Sequence, residues 1–193
     1  MINPLFPVNF FSLTKLPDAD KAVELLLNAK LHSDQKFGWC GEDDGRNIKV
    51  ERLESETVLP IIGPSISTFL QELGCLPCRI SIQDVWKCTY SFGGYQETHQ
   101  HKPSLLSAVI FLDNYEEGAS VFSFLNPEVR LIPDGLLELL PNVKETAHLA
   151  PMKGDILIFP SYLYHNVTKH QIEKPRRTVA LNINLHKEED IIK

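Results

Sequence analysis

No stretch of this sequence approaches the ~18 uninterrupted apolar residues a membrane-crossing helix needs, so no such helix is expected. The N-terminal "MINPLFPVNFFSL" lacks a basic leading region and a small-residue cleavage site, so it does not read as a secretion signal. Basic character is also scarce. Nineteen Lys and Arg stand against 25 Asp and Glu, a formal charge of -6, and no Lys/Arg stripe is present to neutralise phosphates. That argues against nucleic acid or an anionic membrane as partner and leaves small molecules or polypeptides as the expected ligands. Cysteine is sparse too: Cys40, Cys75, Cys78 and Cys88 are too few for a disulfide framework at this length. Repeats and low-complexity tracts are missing, and only the "HKEEDIIK" tail reads as prone to fraying. The chain is therefore expected to be soluble and cytoplasmic.

With 193 residues, 43% of them hydrophobic, the chain can fill one core and not two. A single domain, 1–193, is expected, with an N-terminal helical support region over 1–78 and a catalytic core over 79–186. Asp18 before an apolar-periodic stretch predicts an amphipathic helix from Ala19 to Ala29. "GPSISTFLQELG" predicts a second, with Pro64 near its first turn and Gly74 past its end. The CxxC of "GCLPCR" then lies at the wrong end of that helix for a lowered thiol pKa. It also lacks the second pair that a zinc site would need. Between the helices, "SDQKFGWCGEDDGRNIKVERLESE" reads as a long loop with one short strand.

From Arg79 the pattern changes. "RISIQDVWKCTYS" alternates, placing Ile80, Ile82, Trp86, Cys88 and Tyr90 on one expected face. "LLSAVIFL", "ASVFSF", "GDILIFP", "YLYHNV" and "RTVALNINL" follow as short strands, with "PDGLLELL" adding a helical turn or two. Many short strands joined by Gly/Pro turns predict helices packed on an antiparallel jelly-roll barrel, a mainly β (α+β) architecture. The apolar "PLFPVNFFSL" fits either an edge strand or a homodimer contact. His99 and His101, two residues apart, share a strand face, and His165 follows a buried-strand pattern. Three imidazoles converging from two strands would fill one face of a metal's coordination sphere. On spacing alone, a chance doublet at a strand mouth is as good a reading. His32, His148, His170 and His186 lie in loop or tail contexts and read as solvated.

The blocks "WKCTYSFGGYQETHQHKPSLLSAVIFL", "GDILIFPSYLYHNV" and "RRTVALNI" together resemble the iron(II)- and 2-oxoglutarate-dependent oxygenases, closest to their phage and marine-bacterial branch. That branch carries W-x(3)-Y, a Gly-rich turn, H-x-H and a final R-x-S-x-x-F-N. The resemblance spans about Arg79 to Leu185 and implies a cupin-like double-stranded β-helix (jelly roll). It also implies Fe(II) as metal, 2-oxoglutarate and O2 as cosubstrates, ascorbate as a supporting reductant, and release of succinate and CO2. The implied substrate is a peptide or protein side chain or a small molecule. Carried over residue by residue, His99, His101 and His165 are the implied metal ligands. A strand arginine anchors the far carboxylate, Tyr90 donates to the cosubstrate, and Ser107 is a weaker candidate for facing it.

Arg176 and Arg177 compete for the anchor. Arg177 is in phase with the apolar Val179, Leu181 and Ile183, so it is the one expected to point into the barrel. The resemblance also departs from its superfamily at one place, since His101 stands where Asp or Glu is usual. Glu97, in phase with His99, is the alternative source of a carboxylate ligand. Two other classes stay open: a 2-oxoglutarate-independent three-histidine dioxygenase of cupin type, and a non-catalytic jelly-roll binding module.

Overall fold

The computed structural model describes residues 9–35, 46–128, 133–139 and 144–187. Cys40, most of the loop before Asn47 and the end of the C-terminal tail lie outside them. Among these residues ten strands form two antiparallel sheets. The larger runs β1 (Ser12–Lys15), β8 (Asp155–Pro160), β5 (Leu106–Phe111), β10 (Arg176–Lys187), β3 (Cys78–Tyr90) and β2 (Ile48–Arg52). The smaller runs β4 (Gln96–His99), β9 (His165–Val167), β6 (Phe122–Leu125) and β7 (Thr146–Leu149). From β3 to β10 the chain passes between the sheets in the order of a double-stranded β-helix, which is the expected jelly roll. β1 lies at the edge of the larger sheet and takes in the last two residues of "PLFPVNFFSL", whose first half lies outside the described residues. β4 and β7 were not foreseen as separate strands.

Helices α1 (Ala19–Leu27) and α2 (Ser55–Glu72) cover the outer face of the larger sheet, and α3 (Asp134–Leu139) is the short turn of helix in "PDGLLELL". The second helix begins nine residues before Pro64, so Pro60 and Pro64 both lie inside it. Its apolar side, Val58, Ile62, Ile66 and Phe69, recurs at helical spacing and is buried, which outweighs the lost backbone hydrogen bonds. Gly74 ends it as expected, at φ 70°.

Two apolar cores result, one on each face of the larger sheet. The outer core joins α1 and α2 to Ala108, Ile110, Val179, Leu181 and Ile183. The inner one, between the sheets, is aromatic, with Phe111, Phe122, Phe124 and Phe159. β5 is buried along its whole length because it serves both. β3 also crosses from one core to the other. Its pairing with β10 skips Gln83, so a bulge reverses the alternation. Ile80 and Ile82 therefore pack toward the helices, while Trp86, Cys88 and Tyr90 face the interior, correcting the single face that strict alternation predicted.

Candidate active site

His99 ends β4, His101 follows it, and His165 opens β9 directly opposite His99 in the register of the two strands. Their ring nitrogens lie within 4.8 Å of one another, and among the described residues they are the one such group of potential metal ligands. Ring centroids are 4.3 Å apart for His99 and His165, 5.0 Å for His99 and His101, and 5.1 Å for His101 and His165. The backbone sets two of the tautomers. His99 Nδ1 lies 2.7 Å from the Glu97 carbonyl and His165 Nδ1 lies 2.9 Å from the Leu163 carbonyl. A carbonyl only accepts, so each Nδ1 carries the proton and each Nε2 keeps a lone pair. Trp86 packs on His101 at 5.5 Å, and Phe122 stacks on His165 at 5.2 Å, which limits ring rotation.

Burial keeps all three rings neutral. It lowers the pKa of His99, takes His101 down to about 4 and takes His165 down to about 3, with the neighbouring His99 adding to both shifts. Three imidazole donors held this closely could hold a divalent transition metal. The same shifts govern the stability of the metal-free protein. An unfolded histidine titrates near 6.5, so below that pH the unfolded chain binds more protons than the folded one, and stability falls with pH. Urea midpoints should therefore drop steadily from pH 6.5 to about 4, with His165→Phe flattening the profile. A wild-type midpoint that stays level would mean the rings are hydrated and not buried.

The cavity beside the histidines is lined by Trp86, Tyr90, Gln96, Phe111, Arg176 and Thr178, among others, and among the described residues no acidic one lines it. Arg176 is 5% exposed, with its guanidinium carbon 5.2 Å from the Phe111 ring centre and 5.8 Å from that of Tyr90. Its Nη1 donates to Ser120 Oγ at 3.1 Å. No carboxylate among the described residues pairs with it. Burial draws its pKa down, yet an arginine stays charged at neutral pH. Among the described residues this buried cation has no carboxylate bonded to it, and Asp113, which Arg177 holds, acts on it only through space.

Arg177 is placed otherwise than parity suggested. It turns away from the cavity and grips Asp113 bidentately, Nε to Oδ2 at 3.0 Å and Nη2 to Oδ1 at 2.6 Å, with its side chain 38% exposed. The apolar residues in phase with it face the helix-covered core, so on this strand an apolar face is not the barrel interior. The carboxylate of Glu97, the alternative to His101, is turned to Arg46, 3.4 Å away. Ser107 is buried and bonds Ser161 at 2.8 Å, outside the cavity lining. Tyr90 does line the cavity, but its hydroxyl donates to Gln96 Oε1 at 2.8 Å.

His170, expected at the surface, is buried at 1% exposure. Its Nδ1 accepts from the Ser120 amide at 3.0 Å and its Nε2 donates to the Lys174 carbonyl at 2.8 Å, which supports the loop behind Arg176. His170 also ties down the Gly93–Gly94 turn, through Gly93 N–H to His170 O and His170 N–H to Gly94 O. A Cβ on Gly94 would stand 2.7 Å from the Asn47 carbonyl, so no larger residue fits there. Cys75 and Cys78 are reduced, with Sγ atoms 4.0 Å apart beyond the end of α2 and away from the site.

A jelly roll with a three-imidazole cluster at one end of an inner cavity and a buried arginine at the other has the residues that could hold a metal ion and a small anion. The family described as "Putative 2OG-Fe(II) oxygenase" matches residues 84–182, just over half of the chain, and the chain belongs to it. It is therefore an oxidoreductase of the class that uses Fe(II), 2-oxoglutarate and O2. That membership favours the oxygenase over the 2-oxoglutarate-independent dioxygenase and the binding module. No curated protein matches the chain in sequence.

Among solved structures, a 2OG-Fe(II) oxygenase family oxidoreductase from Burkholderia pseudomallei is similar at 14% identity and TM-score 0.61, covering 90% of this chain and 84% of that one. The viral collagen prolyl hydroxylase of Paramecium bursaria Chlorella virus-1, in complex with 2-oxoglutarate, is similar at 15% identity and TM-score 0.58, covering 92% and 96%. A prolyl-4-hydroxylase from Pseudomonas putida is similar at 13% identity and TM-score 0.57, covering 93% and 94%. At such identities these likenesses establish the fold. No helix among the described residues is long and apolar enough to cross a membrane.

Proposed function

We propose that His99, His101 and His165 hold the iron(II) of this oxygenase and that Arg176, in place of Arg177, anchors the far carboxylate of 2-oxoglutarate. The observation that carries the reading is a cavity with three imidazoles at one end and, at the other, a buried guanidinium that no carboxylate among the described residues pairs. When bound, the iron supplies oxygen activation: one atom of O2 goes to a substrate C–H bond and the other to succinate, with CO2 released.

The chain's own residues bind, orient and exclude. Backbone carbonyls of Glu97 and Leu163 fix the His99 and His165 rings, while Trp86 covers a face of His101 and Phe122 a face of His165. The planar fork of Arg176 suits a carboxylate taken bidentately, and Ser120 holds that fork in place. Phe92, Tyr95 and Tyr164, each next to an element of the site and at least 37% exposed, offer aromatic surface. Such a rim suits a peptide or protein side chain as substrate, in keeping with the two prolyl hydroxylases of similar fold.

Purified protein given iron(II), ascorbate and 2-oxoglutarate should form succinate slowly without added substrate, by uncoupled turnover. If it neither binds nor turns over 2-oxoglutarate, the assignment of the cavity fails.

A further inference from the structure

We propose that Gln96 is a cosubstrate-binding residue, presenting its carboxamide N–H2 to the carboxylate that Arg176 anchors, and that Tyr90 is a positioning residue acting through it. The proposal rests on the 2-oxoglutarate reading of the cavity given above. Its geometric root is a bulge in β4. Gln96 pairs with Val167 and His99 with His165, so three steps along β4 match two along β9. Without that extra residue, Gln96 and His99 would point to opposite faces. With it, both line the cavity and Glu97 is turned outward to Arg46.

The amide's orientation is also determined. Tyr90 is fully buried, and its hydroxyl donates to Gln96 Oε1 at 2.8 Å, so the carbonyl end is occupied. The amide nitrogen is then the end left to meet a ligand, and among the described residues nothing accepts from it. Gln96 stands at the level of Val167, two residues along β9 from the metal-facing His165 and at the end of the cavity where Tyr90 and Arg176 meet. Arg176 and Gln96 both bring N–H donors to this end, and among the described residues lining the cavity no acid faces them. A carboxylate with two oxygens satisfies both, and an uncharged chain end satisfies neither.

Anaerobic calorimetry of the iron(II)-loaded protein tests this, with 2-oxoglutarate and 2-oxopentanoate, which lacks the far carboxylate, as the two probes. Gln96→Glu keeps an acceptor for Tyr90 and exchanges the donors for a negative charge. It should weaken 2-oxoglutarate ~30-fold, as expected for losing a hydrogen bond to a charged group, and reduce the preference over 2-oxopentanoate by a similar factor. Gln96→Met, which introduces no charge, should weaken it ~10-fold, and iron content should not change in either variant. Tyr90→Phe should cost ~3-fold through a freed amide, and adding it to Gln96→Met should cost nothing further if Tyr90 acts through Gln96. Wild-type affinity in both Gln96 variants would overturn the proposal while leaving the anchoring role of Arg176 intact. No binding to wild-type protein would instead overturn the cosubstrate reading itself. Fully additive losses for Tyr90→Phe and Gln96→Met would remove Tyr90 from the arrangement.

Discussion

Arg176→Met should abolish 2-oxoglutarate binding at millimolar concentration and leave iron content unchanged, whereas Arg177→Ala should change the affinity less than threefold. The reasoning is electrostatic. Arg176 is a buried cation with one hydroxyl and two aromatic rings for company, so the free protein bears an uncompensated desolvation cost that an entering carboxylate relieves. Truncating one partner of a buried, hydrogen-bonded charge pair costs ~3–5 kcal/mol, a factor of about 100 to several thousand in affinity. Methionine fills much of the same volume, and the variant should fold at least as stably as wild type, since it removes a buried charge. Arg177 already has its carboxylate in Asp113, on a face that the cavity does not reach. Equal affinities for wild type and Arg176→Met, measured by calorimetry without oxygen, would sink the assignment. A collapse in Arg177→Ala alone would restore the expectation drawn from parity.

That expectation failed for a reason that β10 makes plain. Alternation tells which residues share a face, not which face is inside, and the usual tie-breaker, that the apolar face is the buried one, is uninformative when both are covered. Val179, Leu181 and Ile183 are as apolar as any barrel lining because two helices lie on them. The branch pattern R-x-S-x-x-F-N held the missing signal. Laid on the chain, it puts Arg176 at its arginine, Thr178 at its serine and Asn182 at its asparagine. The two bulges were beyond reach, since an extra residue in a strand leaves no mark on composition. Yet one reverses β3 at Gln83 and the other exchanges Glu97 for Gln96 in the cavity. What could be read from the sequence was what depends on short range. The histidine doublet, the Gly74 helix stop, the start of α1 and the strand blocks with their turns all rest on local periodicity or backbone freedom. The burial of His170 was hidden because it depends on Ser120 and on the turn at Gly93, both far from it in sequence.

His165→Ala should strip the protein of iron, with elemental analysis after dialysis showing under a tenth of the wild-type content. Removing a group that merely orients a ligand typically costs 10–100-fold in metal affinity, and removing a ligand should cost at least as much. The ring is also the most buried of the three, so its replacement leaves a void against Phe122 and Phe159 that no side chain of the inner core can fill from within. His101 poses the sharper question, because a carboxylate is usual at its place. Three neutral ligands leave the double charge of the metal uncompensated, so His101→Asp should hold iron(II) at least as tightly as wild type despite losing the Trp86 contact. If His101→Asp loses its metal as completely as His165→Ala, ring packing and not ligand charge governs the centre. In that case the contact of Trp86 with His101, and of His101 with His165, is what this chain has in place of the carboxylate.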